Sequence, residues 1–409
     1  MPAQVSPVLL RKINERRVLE MIQSHGPQSR ADVRRGVGMS APTVSKAVAS
    51  LLEHGFLEER EDLDPGMGRP AKLLHLACQT ASVLGIVIDK PDCWVVAAGL
   101  DGELNPEKMR SFPLPKTYRS LIQRLQEQVN SLMQASGEKI PGRGKVLGIG
   151  VSVPGLVNSQ TDEIVFSPNL HLLDGRRPAA DLEGALGIEC RMFQEAHALC
   201  LGELMYGAAR GLDNFAMLDV STGLGLGVMS GGQLLTGHSG LAGELGHITV
   251  ERHGIPCGCG NHGCLETVAT DSALARLVSK RIGREVSIEE TVRLIREGQI
   301  DAGEELAATC EYLAIGVSAV INIFNPTTLF VHGKLMGADE RVFEDMMRNV
   351  QRRTLRPSLA DCRVLQARGS KRQGAVAGMI HHLTDSWAPR FPKQSSRERA
   401  ETERVGRSS

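Results

Sequence analysis

Between Gly243 and Glu266 the chain reads GELGHITVERHGIPCGCGNHGCLE, and no other stretch restricts it so tightly. Cys257 and Cys259 are one residue apart, Cys264 follows, and His247 lies upstream of all three. Three thiolates and one imidazole make a complete ligand set for a tetrahedral zinc site. The blander alternative is that these cysteines are small buried hydrophobes. Gly258, Gly260 and Gly263 argue against it, because they surround the thiols with almost no core-forming side chains. With four protein ligands no coordination position is left for water, so the expected Zn2+ is structural rather than catalytic.

A chain of 409 residues is too long for one ordinary core and points to two or three domains. Lysine and arginine total 47, as do aspartate and glutamate. No whole-molecule field therefore draws the protein to nucleic acid, and any DNA-binding surface must be local. The opening MPAQVSPVLLRKINERR has no signal-peptide core, and no long unbroken apolar run follows. The expectation is a cytoplasmic protein without membrane insertion. Thiols stay reduced there. The six cysteines outside the motif (Cys78, Cys93, Cys190, Cys200, Cys310 and Cys362) then read as core residues.

The first eighty residues look like a winged helix-turn-helix. Ile13, Val18, Leu19 and Ile22 give residues 12–24 one helical stripe, which His25-Gly26-Pro27 ends. Ser29 caps a short helix over Arg30–Arg35, Gly36–Met39 turn, and Ser40 caps a third helix reaching about His54. Residues 55–58 and 71–76 suit two wing strands around the turn-rich DLDPGMGRP. Eight basic residues against three acidic ones in residues 1–46 give the helices a local positive face. Thr43, Ser45 and Lys46 are the candidates for base contacts. Arg34, Arg35 and Lys46 are candidates for phosphates, and Arg69 at the wing tip for a minor groove. A three-helix protein-interaction module is the alternative.

After Ser82 strands alternate with helices, and glycines follow the strands. Strands are expected in SVLGIVID, in CWVVAAGLDGEL, at Lys145–Val153, at Phe215–Val220 and at Thr328–His332. Helices are expected at Tyr118–Ala135, Ala196–Tyr206, Leu274–Arg281 and Glu304–Ile323. This is an α/β pattern with ligand sites at the strand ends. Residues 389–409 are charged and nearly free of apolar side chains, the composition of a disordered tail.

Taken together, the winged helix-turn-helix, the α/β body, AGELGH and CGCGNHGCLE resemble the ROK family of repressors and sugar kinases, over about residues 12–385. The Ser221–Gly227 loop, the Pro154–Val157 turn and Gly374–Gly378 support the likeness. The resemblance implies a DNA-binding domain over residues 1–80, then an actin-like, ribonuclease-H-like pair of lobes with a sugar cleft between them. One lobe would cover residues 81–193, completed by about 375–388, and the other, with the zinc, residues 194–374. It implies zinc ligation by His247, Cys257, Cys259 and Cys264, and sugar contacts from Glu244, His247 and Glu266. His247 would serve both, one ring nitrogen on the metal and the other toward the sugar. Asn169, His171 and Asp174 are weaker candidates for the cleft edge. The implied partners are operator DNA, a sugar or sugar phosphate, a second copy in a homodimer or dimer of dimers, and in some relatives a sugar-transport protein.

Three departures separate the chain from a sugar kinase of this type. The first phosphate turn, Asp-x-Gly-Gly-Thr-Lys in such kinases, is here Val87-Ile88-Asp89-Lys90-Pro91-Asp92. Both glycines are gone, Pro91 lacks an N–H, and two aspartates would repel phosphate. Gln194 and Glu195 stand where the kinases carry Asn-Asp, so the presumed base is displaced by one carbon, roughly 1.5 Å. A shift of about 1 Å costs such a base on the order of a hundredfold in rate. Gly333-Lys334 replaces a glycine pair near the adenosine. The expectation is a sugar-responsive repressor in which Glu195 is a degenerate base and Gln194 and Glu195 contact sugar hydroxyls. An active ATP-dependent hexose or amino-sugar kinase is the alternative.

Overall fold

The computed structural model describes residues 6–61, 72–135 and 145–387. The proposed minor-groove residue Arg69 and the expected tail over 389–409 lie outside them. Three helices open the chain: α1 (Pro7–His25), then the two-residue strand β1 (Gln28–Ser29), α2 (Arg30–Val37) and α3 (Ala41–Glu53). Ser6, Ser29 and Ser40 cap them by accepting from the backbone N–H of Leu9, Asp32 and Thr43. α2 runs two residues beyond the expected Arg35, because Val37 is buried beside Val33 in the domain core. β2 (Leu57–Glu61) and β3 (Lys72–Leu76) pair antiparallel as the stem of the wing, and β1 pairs with the outer side of β3.

The first lobe begins with β4 (Ala81–Val87), β5 (Asp92–Ala98) and β6 (Leu104–Pro113), followed by α4 (Tyr118–Ala135). β7 (Lys145–Val153), the short pair β8 (Leu156–Asn158) and β9 (Glu163–Phe166), α5 (Pro178–Leu186) and β10 (Cys190–Gln194) complete it. The second lobe takes α6 (Glu195–Tyr206), β11 (Phe215–Asp219), β12 (Gly225–Ser230) and β13 (Gln233–Leu234). Helices α7 (Asp271–Ile282), α8 (Ile288–Arg296) and α9 (Gly303–Phe324) follow. β14 (Thr328–His332), α10 (Arg341–Arg353), α11 (Arg356–Asp361) and β15 (Arg363–Gln366) close it.

The two main sheets have the same plan. One runs β6-β5-β4-β7-β10 and the other β13-β12-β11-β14-β15. In each, three antiparallel strands form a meander and two parallel strands are added beside the first. This repeated order is the actin-like, ribonuclease-H-like architecture. In such sheets the crevice where strand order reverses is the natural ligand site. Here it puts the ends of β4, β10 and β11 beside one another. α9 is the one described helix long and apolar enough to cross a membrane. Leu313, Ala314, Val317, Val320 and Ile321 bury it in the second-lobe core.

The chain returns to the first sheet through α12 (Lys371–Trp387), which packs on β4 and β7 and against α6. It starts four residues before the expected return at about 375. Gly374 makes the approach to α6 possible: a Cβ there would stand 2.8 Å from the Ala198 carbonyl oxygen. The helix-turn-helix is stitched to this body rather than tethered loosely. Glu58, 6% exposed, accepts from the backbone N–H groups of Cys78, Gln79 and Thr80. Burial pushes the Glu58 carboxyl up, but Arg60 and those backbone donors outweigh it and hold it below the usual range. Ala81, Leu100 and Leu147, from the body, pack into the helix-turn-helix core. Cys78 departs from the expectation of six core cysteines. It is half-exposed at this junction, its sulfur bonded to the Arg60 guanidinium at 2.6 Å, while the other five are buried.

Candidate functional site

The metal-ligand candidates sit on a folded knuckle between β13 and α7. Short bridges pair Thr249 with Cys264 and Pro256 with His262, and Cys257 N–H donates to Asn261 O at 2.8 Å. Gly263 adopts φ 65°, and a Cβ there would fall 1.7 Å from the Glu251 carbonyl oxygen, so no larger residue fits. The sulfurs of Cys257, Cys259 and Cys264 and a ring nitrogen of His247 lie within 4.8 Å of one another. Cys259 and Cys264 sulfurs are 3.7 Å apart, and Cys257 Sγ is 3.6 Å from His247 Nδ1. A tetrahedron with Zn–S legs of about 2.3 Å has S···S edges of about 3.8 Å, so these residues fit the ion by spacing as well as by chemistry.

The imidazole faces two ways. Nδ1 is turned to Cys257, while Nε2 is 3.8 Å from Glu244 Oε2. Glu266, 8% exposed, accepts from Leu224 N–H at 3.0 Å and Asn169 Nδ2 at 3.3 Å through the same oxygen. Burial, and then the charge of Glu266, pushes the Glu244 carboxyl up to about 7. A cavity of about 80 Å³ between the lobes is lined by Asn169, Gln194, Glu195, Asp219, Glu244, His247 and Glu266, together with Pro154–Leu156 and Gly223–Leu226. All six sugar candidates therefore converge on one crevice. His171 and Asp174 do not line it; they bond to each other at 3.0 Å outside it.

The deeper wall holds a cluster that the sequence does not announce. Lys371 Nζ donates to Glu195 Oε1 at 2.8 Å and to Asp89 Oδ2 at 2.9 Å, and lies 3.7 Å from Asp219 Oδ2. Burial pushes the Glu195 carboxyl up to about 8, against the pull of Lys371 and with the repulsion of Asp89 and Asp219. Asp219 goes the other way, to about 2: burial is outweighed by Lys371 and by His332, whose Nδ1 is 2.9 Å away. The three acids hold the Lys371 ammonium well above its usual range despite its burial. Asp89, expected to repel phosphate, is thus an ion-pair partner. Lys371 is the first residue of α12, where the helix dipole disfavours a cation, so the three acids are what hold its charge there.

At the other end of the molecule, α3 exposes Ser45 and Lys46, and Thr43 is half-buried with its hydroxyl 2.8 Å from that of Ser40. Arg34 and Arg35 are exposed on α2, and Arg35 pairs with Asp32. A cavity of about 690 Å³ belongs to neither site. It lies between α1, β3 and the ends of α6 and α12.

The two-lobed body with its knuckle and the helical domain ahead of it define a sugar-kinase-like protein with a DNA-binding module. The chain belongs to the ROK family, whose model matches residues 91–385, and a winged helix-turn-helix DNA-binding model matches residues 11–58. It is 27% identical over 351 residues to the xylose repressor of Bacillus subtilis, covering 84% of this chain and 88% of that one. It is 26% identical over 349 residues to the DNA-binding transcriptional dual regulator NagC of Escherichia coli, covering 83% and 84%. Among solved structures, a ROK family transcriptional regulator, a homolog of the E. coli MLC protein, superposes with a TM-score of 0.77 at 24% identity, covering 92% of this chain and 98% of that one. A ROK glucokinase from Streptomyces griseus, solved with glucose and AMPPNP, gives 0.65 at 21% identity, covering 74% and 99%. At these identities the structural likenesses establish the fold.

Proposed function

We propose that the protein is a sugar-responsive, DNA-binding transcriptional regulator that represses genes of carbohydrate uptake or catabolism. The observation that carries this reading is the state of Glu195. A winged helix-turn-helix precedes a kinase-like body, and the carboxylate at the presumed base position is bonded to Lys371. A base must be free to take a hydroxyl proton. Beside it, the Val87–Asp92 turn offers Pro91 and two aspartates where phosphates need N–H donors. Asn169, Gln194, Glu195, Glu244, His247 and Glu266 would hold a polyol, since carboxylates accept from adjacent hydroxyls. His247, Cys257, Cys259 and Cys264 would hold a structural Zn2+ that fixes the aim of the imidazole. The names of the xylose repressor and of a further relative, an N-acetylglucosamine repressor of Escherichia coli at 26% identity over 349 residues, support xylose and N-acetylglucosamine as first candidates for the effector. A cytoplasmic homodimer, or dimer of dimers, would set two α3 helices in successive major grooves.

Footprinting on the chain's own upstream region tests the DNA half. Lys46→Ala should weaken binding by about tenfold and lower the salt slope by about one, with the fold unchanged because Lys46 is exposed. Wild-type affinity in this variant would remove α3 from the interface. The retained Ser221–Gly227 loop keeps an ATP-dependent sugar kinase as the rival. Phosphoryl transfer to a hexose or amino sugar in a coupled assay, abolished by Glu195→Gln, would replace the regulator reading with it.

A further inference from the structure

Lys371 stands where three parts of the fold meet. Asp89 follows β4 of the first sheet, Asp219 ends β11 of the second, and Glu195 begins α6 between them. Lys371 itself is 11% exposed, and its ammonium touches all three carboxylates. One side chain therefore ties the two lobes together across their parting line. The crevice beside it, at about 80 Å³, is smaller than the roughly 300 Å³ at which small-molecule pockets usually begin. Parting of the lobes would give a sugar that room, and Glu195, which lines the crevice, is bonded to Lys371.

The same residue begins a rod. α12 runs 17 residues, a length of about 25 Å, from the cleft to the DNA-binding domain. At its far end Asp385 pairs with Arg16 of α1 at 2.5 Å, and His381 meets Asp385 at 3.2 Å. Leu383 packs against the helix-turn-helix core as well as against the core beneath the first sheet. Between the two ends, Gly374 and Gly202 let α12 lie against α6 with almost no side chain between them. The helix is thus pinned by an ion pair at each end and close-packed between, so it moves as a body.

We propose that Lys371 is the positioning residue through which the cleft reports to the DNA-binding domain. Without ligand it holds Glu195 and clasps the lobes. A polyol that engages Glu195 competes with the ammonium, the clasp loosens, and α12 carries the shift to Arg16 of α1. This rests on the sugar-site reading above and adds its route of response.

Hydrogen exchange on the full, zinc-loaded chain tests the route. Lys371→Met should raise exchange about tenfold in residues 85–92 and 215–222 and also in residues 12–20 of α1. Lys371→Arg should restore the wild-type pattern, which a merely space-filling role would not require. Asp385→Asn should loosen residues 12–20 and leave 215–222 unchanged. The proposal is overturned if Lys371→Met alters the cleft segments alone, or if Lys371→Arg behaves like the methionine variant. Should Lys371→Met not fold, Asp89→Asn weakens the same clasp from the first-lobe side and is read in the same segments. Millimolar D-xylose and N-acetylglucosamine form the ligand arm. A sugar that binds by calorimetry and changes residues 12–20 supports the route, and one that binds without doing so overturns it. If neither binds, that counts against the effector choice, while the variants still decide the clasp.

Discussion

The four zinc-ligand candidates all fall within the short stretch His247–Cys264, whereas Lys371 and its acids are drawn from positions up to 282 apart. Both clusters border one crevice, and both gather charge that must be balanced. The knuckle builds its cluster from local turns, so the chain spacing alone brings the ligand atoms together. The Lys371 cluster exists only because two sheets of the same strand order face each other, which brings the ends of β4 and β11 within reach of one ammonium. The first cluster could hold a metal ion taken from solution, while the second carries its own cation. Chelators and metal supply should therefore act on one and leave the other alone.

The largest expected effect breaks the knuckle. Cys259→Ser removes one of four ligands from a site type whose zinc affinity corresponds to about 10 kcal/mol or more. Metal analysis should fall from about one zinc per chain toward none. Residues 245–266 should lose exchange protection, and sugar response should go with them. The helix-turn-helix, with its own core of Val18, Val33, Val48 and Leu51, should keep its signals. Sugar binding that survives zinc loss unchanged would separate the metal from the cleft and end the shared role drawn for His247.

A smaller effect sharpens the other side. Glu195 has a folded-state value of about 8 against an ordinary 4.5. Between those values the folded protein holds a proton that the unfolded chain has released, so stability falls as pH rises through that window. Glu195→Gln removes this dependence. The stability of the variant minus that of wild type should grow by about 2–3 kcal/mol from pH 6 to pH 8 in urea titrations. Asp219, depressed to about 2, contributes the opposite sign, present above its ordinary 3.8 and lost in acid, outside this range. Burial and the charge of Glu266 also raise the Glu244 carboxyl, and Glu195→Gln leaves both causes in place, so the difference between the two proteins is the quantity to read. A difference that stays flat would mean that Lys371 neutralises Glu195 fully and the cluster is an ordinary ion pair.

The same contrast explains what could be read beforehand. α4, β7 and β14 have the expected bounds, because an amphipathic stripe or a continuous apolar run marks each of them. β6 escaped notice: it is an edge strand with Pro106, Glu107, Lys108 and Arg110, a composition that edges tolerate and central strands do not. β12 hid in the glycines of STGLGLGVMSGG, which read as a loop until β11 pairs with it. All six cleft candidates were reachable through local motifs. Asp219 and Lys371 were not, since an aspartate ending an apolar strand and a lysine opening a helix gain their meaning only from each other.

The smallest effect tests whether the two regions are separable at all. Asn169 reaches from the first lobe to Glu266, next to the knuckle, with Nδ2 3.3 Å from Oε2. Asn169→Ala deletes that hydrogen bond but does not orphan the carboxylate, because Leu224 N–H still donates to the same oxygen at 3.0 Å. The backbone carbonyl of Asn169, which accepts from Lys90 Nζ, also survives. The cost should be about 1 kcal/mol, or about 2 °C in melting temperature for a domain of this size. Affinity for any bound sugar should fall by up to about tenfold. Zinc content should not move, because the Asn169 amide is hydrogen-bonded to Glu266 and not to one of the four ligand candidates. If metal is lost together with this one amide, the knuckle depends on the first lobe for its shape, and a cluster that looks local in the chain is as much a product of the paired lobes as the one around Lys371.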